Sequence, residues 1–253
     1  MSGNNIELSA AVNAFEFYTV SVIKRVLNGE VILSEQEKIE LDELIKMQVS
    51  LHAMDGQFFA DLLAATIEKL KLIGQEYGDS KKRVEAAGQL LKVAYTQILA
   101  RQSNLQSGFN TRLRQLELSR VLKRYAGKDK VVDELQNAEI RLALYGKSAT
   151  EINMLYQMAC ADLSDLQLCE ALESAPKYLD LLTPEQIEKG RSIRLNKQYP
   201  FETLEIEILN ERLEQMRLLV FRSLETLRNY GWLPTTDKIR QQDFWRKAVG
   251  EAA

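Results

Sequence analysis

The sequence predicts an all-α protein: an elongated antiparallel helical bundle with coiled-coil-like long helices and shorter capping helices. Three observations lead to this class. The 253 residues include only 4 Pro and 12 Gly, where an average chain of this length carries about 13 and about 18. An all-β sandwich or barrel needs a turn every ~8–12 residues, which so few turn-formers do not supply. Long stretches repeat apolar residues at steps of three and four, the period of a helix face. A 45% hydrophobic content with a net charge of only −3 excludes a fully disordered chain, and no run of ~18 apolar residues offers a bilayer-spanning helix.

The first helix is expected over residues 6–27. Asn28-Gly29 stops it, because glycine accepts the left-handed backbone of a helix end. Ser34-Glu35-Gln36-Glu37 then reads as a capping box, with hydroxyl and carboxylate each reaching the other's backbone amide. It opens a long helix over 35–77, which Gly56 is a candidate to split. Its apolar residues Ile39, Leu44, Leu51, Phe58, Leu62, Leu63, Leu70 and Ile73 keep helical spacing.

Gly78-Asp79-Ser80 is the next break. Beyond it, Val84, Ala87, Leu91, Ala94 and Ile98 share one heptad phase with Leu105, Phe109, Leu113 and Leu116. A phase kept across that interval predicts a continuous helix over 81–126, a rod of roughly 70 Å. The alternative is a kink or break in the polar stretch 102–108, which ends in Gly108.

Shorter helices follow over 129–145, 151–163 (capped by Thr150) and 165–174, the last stopping before Pro176. Thr183-Pro184-Glu185 starts another that ends near Leu195, since proline suits a first helical position. Residues 196–200 read as a loop. A second long helix covers 201–229 through Ile206, Leu209, Leu213, Met216, Val220 and Leu227. Tyr230-Gly231-Trp232-Leu233-Pro234 ends it, and an amphipathic helix over 237–249 closes the chain. The expected organisation is a helical bundle over 1–230, followed by an aromatic turn and helix over 231–253 that is a candidate docking element.

The small net charge conceals a strong pattern. Residues 1–80 hold 6 Lys/Arg against 13 Asp/Glu, residues 81–130 hold 12 against 3, and residues 131–253 hold 15 against 20. A basic helix thus lies between two acidic segments. Arg112, Arg114, Arg120, Lys123 and Arg124 crowd its C-terminal half. The leading reading is internal neutralisation against acidic helices, helped by the helix dipole. Binding of an anionic partner ranks behind it. Nucleic acid is disfavoured: aromatics in the stretch are few, Phe109 falls in the heptad seam, and no recognition motif is present.

The residues also limit the chemistry. His52 is the single histidine, which removes two-histidine metal sites and paired-histidine hydrolases; it reads as a satisfied or surface helix residue. Cys160 and Cys169 are nine apart, outside any zinc-ligand spacing, and read as buried small hydrophobes. Asp162 and Asp165 between them allow only a weak metal constellation. Glu202, Glu205 and Glu207 read as a solvated acidic face matched to a helix N-terminus. No Walker A, dinucleotide, EF-hand or Glu-x-x-His pattern is present. The expectation is therefore a protein with no enzymatic activity, no cofactor and no metal.

What remains is interaction. Tyr230, Trp232, Phe244 and Trp245 gather both tryptophans of the chain into 16 residues, and such side chains anchor cores and binding hot spots alike. The seams of the long helices are expected to pack on each other within the chain; in the alternative, a homodimeric coiled coil, the polar seam residues Arg101 and Ser223 would matter for register. The expected function is a protein–protein interaction module, an adaptor, scaffold or subunit of a larger assembly. It would dock through helix faces onto other proteins or a second copy of itself. A soluble helical toxin or effector that rearranges at a membrane ranks second, on the apolar run Phe58-Phe59-Ala60-Asp61-Leu62-Leu63-Ala64-Ala65. Nucleic-acid binding through residues 112–130 ranks third. The N-terminus lacks a secretory or transit pattern and cysteines are scarce, so the expected location is cytoplasmic, although export without a cleaved signal would leave the same sequence.

Overall fold

The computed structural model describes residues 3–76, 78–125, 130–176, 179 and 181–229. The described residues are helical throughout their ordered elements: α1 (Gly3–Leu27), α2 (Glu35–Glu76), α3 (Ser80–Tyr125), α4 (Lys130–Ala143), α5 (Ala149–Asp162), α6 (Leu166–Glu173), α7 (Pro184–Gln198) and α8 (Pro200–Asn229). The all-α class is therefore as the composition and periodicity predict. No helix among the described residues is long and apolar enough to cross a membrane.

Local chemistry explains most helix ends. Gly29 sits at φ 74, in the left-handed region that stops α1. The Ser34 amide donates to Glu37 Oε2 at 2.8 Å and the Glu37 amide donates to Ser34 Oγ at 3.3 Å, the capping box read in the sequence. Thr183 and Gln186 form the same box at α7, with Pro184 beside it. The cap of α5 is a correction: Ser148, not Thr150, occupies the position, and Glu151 completes its box. A Glu or Gln three residues after the cap returns the bond; Ser148 has Glu151 there, whereas Thr150 has Asn153. Asp165 caps α6 by accepting from the Leu168 amide at 2.8 Å.

Two candidate breaks do not occur. Gly56 lies inside α2, where a Cβ would stand 2.7 Å from Val12 Cγ2. Its role is to let α1 pass close, not to end a helix. Gly108 lies inside α3 with open space around it, so α3 is continuous, as the heptad phase predicts. The expected loop over 196–200 shrinks to Tyr199: α7 runs on to Gln198 and α8 starts at Pro200. Pro200 costs α8 nothing there, since its missing N–H would have had no helical partner.

The chain divides into two compact units. The first comprises residues 1–30, 38–113 and 207–253. Its core is built from Phe15 and Val22 of α1, Ile45, Phe59, Leu63 and Leu70 of α2, Leu91, Ile98 and Phe109 of α3, and Leu213, Met216, Leu219 and Leu227 of α8. The α3 seam read from the sequence faces this core: Ala87, Leu91, Ala94, Ile98 and Phe109 are all buried.

The second unit comprises residues 31–37 and 114–206. Ile152, Tyr156, Ala159 and Cys160 of α5 pack with Cys169 and Leu172 of α6 and with Leu144 and Leu182. Arg141 of α4 donates to the Ala171 carbonyl of α6 at 3.1 Å, satisfying an acceptor near that short helix's end.

Candidate functional site

Three arrangements stand out, two of them buried and ionic, one exposed and apolar. In the first unit, Asp55 of α2 is 1% exposed at its side chain. Arg101 Nη2 donates to its Oδ1 at 2.6 Å and Arg212 Nη2 to its Oδ2 at 2.8 Å. Arg212 also donates from Nη1 to Gln48 Oε1 at 2.6 Å, and its guanidinium lies 5.1 Å from the Phe109 ring centre. Burial draws the Arg212 pKa down, while the Asp55 hydrogen bond and charge oppose it. The cluster ties α2, α3 and α8 together at one level. Arg101 spends its seam position on this intrachain ion pair. Ser223 is buried, and its hydroxyl donates to the Leu219 carbonyl of its own helix at 2.7 Å.

His52 lies beside this cluster, fully buried, with its ring 5.0 Å from that of Phe15. It belongs to the core, which selects among the two places the sequence allowed it.

In the second unit, Glu173 is the hub. Arg194 Nη2 donates to both of its carboxylate oxygens, at 3.0 and 2.9 Å, and Arg191 Nε donates to Oε2 at 3.3 Å. The Tyr156 hydroxyl reaches Glu173 Oε1 at 3.1 Å and the Ile187 carbonyl at 2.9 Å. Burial, then the Glu173 charge, pushes the Tyr156 phenol well above its usual pKa. One turn along α5 from Tyr156, the Cys160 sulfur lies 3.4 Å from that of Cys169, both fully buried. The two cysteines are thus buried, as the sequence suggested, but they also face each other. Among the described residues no group of three or more His, Cys, Asp or Glu is placed to hold a metal ion.

The acidic start of α8 is a correction. Glu202 and Glu205 are buried rather than solvated. Glu202 accepts from Lys123 Nζ, which also lies 5.9 Å from the Tyr199 ring centre. Arg120 is buried and donates to Thr203 Oγ1 at 2.5 Å; desolvation lowers its pKa, with Glu202 opposing. Glu207 accepts from Arg25 Nη1 at 2.7 Å. Dipole matching alone would leave such carboxylates in water; here Lys123 compensates the burial of Glu202, and Arg25 pairs with Glu207. Of the basic site residues named above, Arg120 and Lys123 therefore spend their charge internally, while Arg112 and Arg114 are exposed. The side chain of Arg124, and Tyr230, Trp232, Phe244 and Trp245 as a whole, lie outside the described residues.

The third arrangement is on α2. Met47, Leu51, Met54 and Phe58 are 51, 39, 63 and 38% exposed and step by four, three and four. They form one apolar stripe that flanks the buried row of Gln48, His52, Asp55 and Phe59, each of which follows a stripe residue by one position. Between Lys46 and Asp61 the other exposed residues of α2 are Ser50, Ala53 and Gln57, so that stretch presents no exposed charge. The guanidinium of Arg101 lies 5.4 Å from the Phe58 ring centre and joins the stripe's end to the Asp55 cluster.

No protein-family model matches the chain, and neither a curated protein nor a solved structure is similar to it at a significant level.

Proposed function

We propose that this chain is a non-enzymatic protein–protein interaction module whose docking face is the Met47–Leu51–Met54–Phe58 stripe of α2. The observation that carries this reading is the stripe itself: four large apolar side chains at heptad spacing, exposed, with no charged residue of α2 among them. A helix of a protein partner fits that geometry, because its own apolar residues would enter the gaps at i, i+3, i+4 and i+7. Methionines suit such a face, since the flexible thioether adapts to the partner's shape.

Half-exposed side chains of this size gain about 1 kcal/mol each on complete burial, or about 4 kcal/mol together. That corresponds to only millimolar binding. The partner helix therefore extends along the same phase, over Leu44 on one side and Leu62 on the other, both half-buried. The basic 112–130 segment ranks lower as a docking surface, because Arg120 and Lys123 already have partners within the unit.

The test is a double substitution, Met47→Glu with Met54→Glu. Both positions are exposed, so the helical circular dichroism and thermal midpoint stay near those of the parent. Affinity purification from the native cell with the parent chain as bait is expected to return a partner that the double variant loses. A variant that folds and retains every partner contradicts the reading.

A further inference from the structure

We propose that Cys160 and Cys169 form a redox-modification site, at which a peroxide converts two facing thiols into an intramolecular disulfide. The argument starts from geometry. The two sulfurs, one on α5 and one on α6, lie 3.4 Å apart with a thiol hydrogen bond between them. They are also the only cysteines of the chain, and each is fully buried within one core. A reactive thiol and its resolving thiol must be in contact, and this core places the two sulfurs so.

The covalent change is small. A disulfide needs the sulfurs at about 2.05 Å, so the gap closes by about 1.4 Å. The connection between the two helices is short, from Leu163, at the left-handed φ of 55, to the Asp165 cap. Helix α6 has only 8 residues to move.

The electrostatics divide the roles. The contact between the two thiols, which either sulfur can donate, lowers the Cys160 pKa and, followed by burial, raises that of Cys169. Cys160 is the attacking thiolate and Cys169 keeps its proton for the second step. The Cys160 sulfur attacks one oxygen of hydrogen peroxide; the O–O bond breaks and the second oxygen leaves as water after taking the thiol proton. The Cys160 sulfenic acid is then attacked by the Cys169 sulfur. The S–O bond breaks and its oxygen leaves as water with the Cys169 proton. In sum, two thiols and one peroxide give one disulfide and two waters: the sulfur pair loses two electrons and the peroxide gains them. Because both sulfurs are buried, the reaction waits on local opening of the short α6.

The test uses the reduced, full-length protein and hydrogen peroxide. No Lys or Arg separates the two positions, so one tryptic peptide carries both cysteines. After exposure to peroxide that peptide is expected to be about 2 Da lighter, to resist alkylation, and to regain both thiols with dithiothreitol. In Cys169→Ser, Cys160 is expected to remain a sulfenic acid that dimedone traps. Three results overturn the proposal: both thiols stay free in the native protein under conditions that oxidise the denatured chain; either cysteine of the parent passes to sulfinic acid; or the disulfide links only separate copies.

Discussion

Asp55 of α2 and Arg212 of α8 meet at 2.8 Å inside the first unit, at side-chain exposures of 1% and 6%. Two charges withdrawn from water this far repay their desolvation only while each has its partner. Asp55→Ala leaves Arg212 with Gln48 as its remaining polar partner, and Arg101 loses its acceptor. The expected cost is about 3–5 kcal/mol, read from urea unfolding. Arg101→Ala removes a half-exposed contributor and is expected to cost about 1 kcal/mol. A paired replacement, Asp55→Leu with Arg212→Met, is expected to cost less than the sum of the singles, because neither leaves a buried charge behind.

Gly190 and Tyr156 make the tightest approach in the second unit. A Cβ on Gly190 would stand 2.2 Å from Tyr156 Cε1. The ring has little freedom to retreat, since its hydroxyl is held by Glu173 and the Ile187 carbonyl. Gly190→Ala is expected to destabilise by about 2–3 kcal/mol through overpacking. Gly108→Ala provides the contrast: that glycine is mid-helix with open space around it, and alanine there is expected to stabilise by up to about 1 kcal/mol. Thermal unfolding of the two variants should move in opposite directions.

The capping boxes give the fold an acid dependence of known sign. Hydrogen bonds from the Ser34 hydroxyl and amide hold the Glu37 carboxyl below its ordinary value of 4.5. The Ser148 amide and hydroxyl do the same for Glu151. A carboxyl depressed by folding contributes stability that is present above pH 4.5 and lost as pH falls through the folded-state value. Ser34→Ala is expected to cost about 1 kcal/mol at pH 7 and less once pH falls through the depressed folded-state value, where the carboxylate takes up its proton. Urea midpoints of parent and variant between pH 7 and pH 3 should therefore converge on the acid side. A constant gap would assign the loss to the cap hydroxyl alone.

Ser223 illustrates how a seam position can mislead. Its hydroxyl is buried, but bonds only to the Leu219 carbonyl one turn back, and such back-bonding offers a helix little. Ser223→Ala is expected to leave stability within about 0.5 kcal/mol of the parent and the helical content unchanged.

The helices were legible because their signals are local. Ser34 with Glu37, Thr183 with Pro184, and the α3 phase through Phe109 each lie within a few turns of chain. The ionic clusters were not, because their members are far apart in sequence: Asp55 and Arg212 are separated by 157 positions, Arg120 and Thr203 by 83. Each of these charges, taken alone, resembles an ordinary surface residue. That is why Glu202 and Glu205 read as a solvated face. One signal was available. Gly190 sits inside a helix, where glycine costs about 1 kcal/mol, and such a residue marks a close approach. The α2 stripe was half visible: Leu51 and Phe58 belong to the helical pattern, but periodicity alone does not say which of two apolar faces meets the core. The buried His52, Asp55 and Phe59 face settles that.

The docking face is tested most directly by placing a photo-reactive residue at Met54 and, as a control, at the exposed Lys46. On irradiation in native extract, Met54 is expected to yield a discrete crosslinked species, whether another protein or a second copy of the chain. Phe58→Asp in the same chain should abolish it, and Lys46 should yield little. Absence of an adduct at Met54, or the same adducts from both positions, would contradict the account.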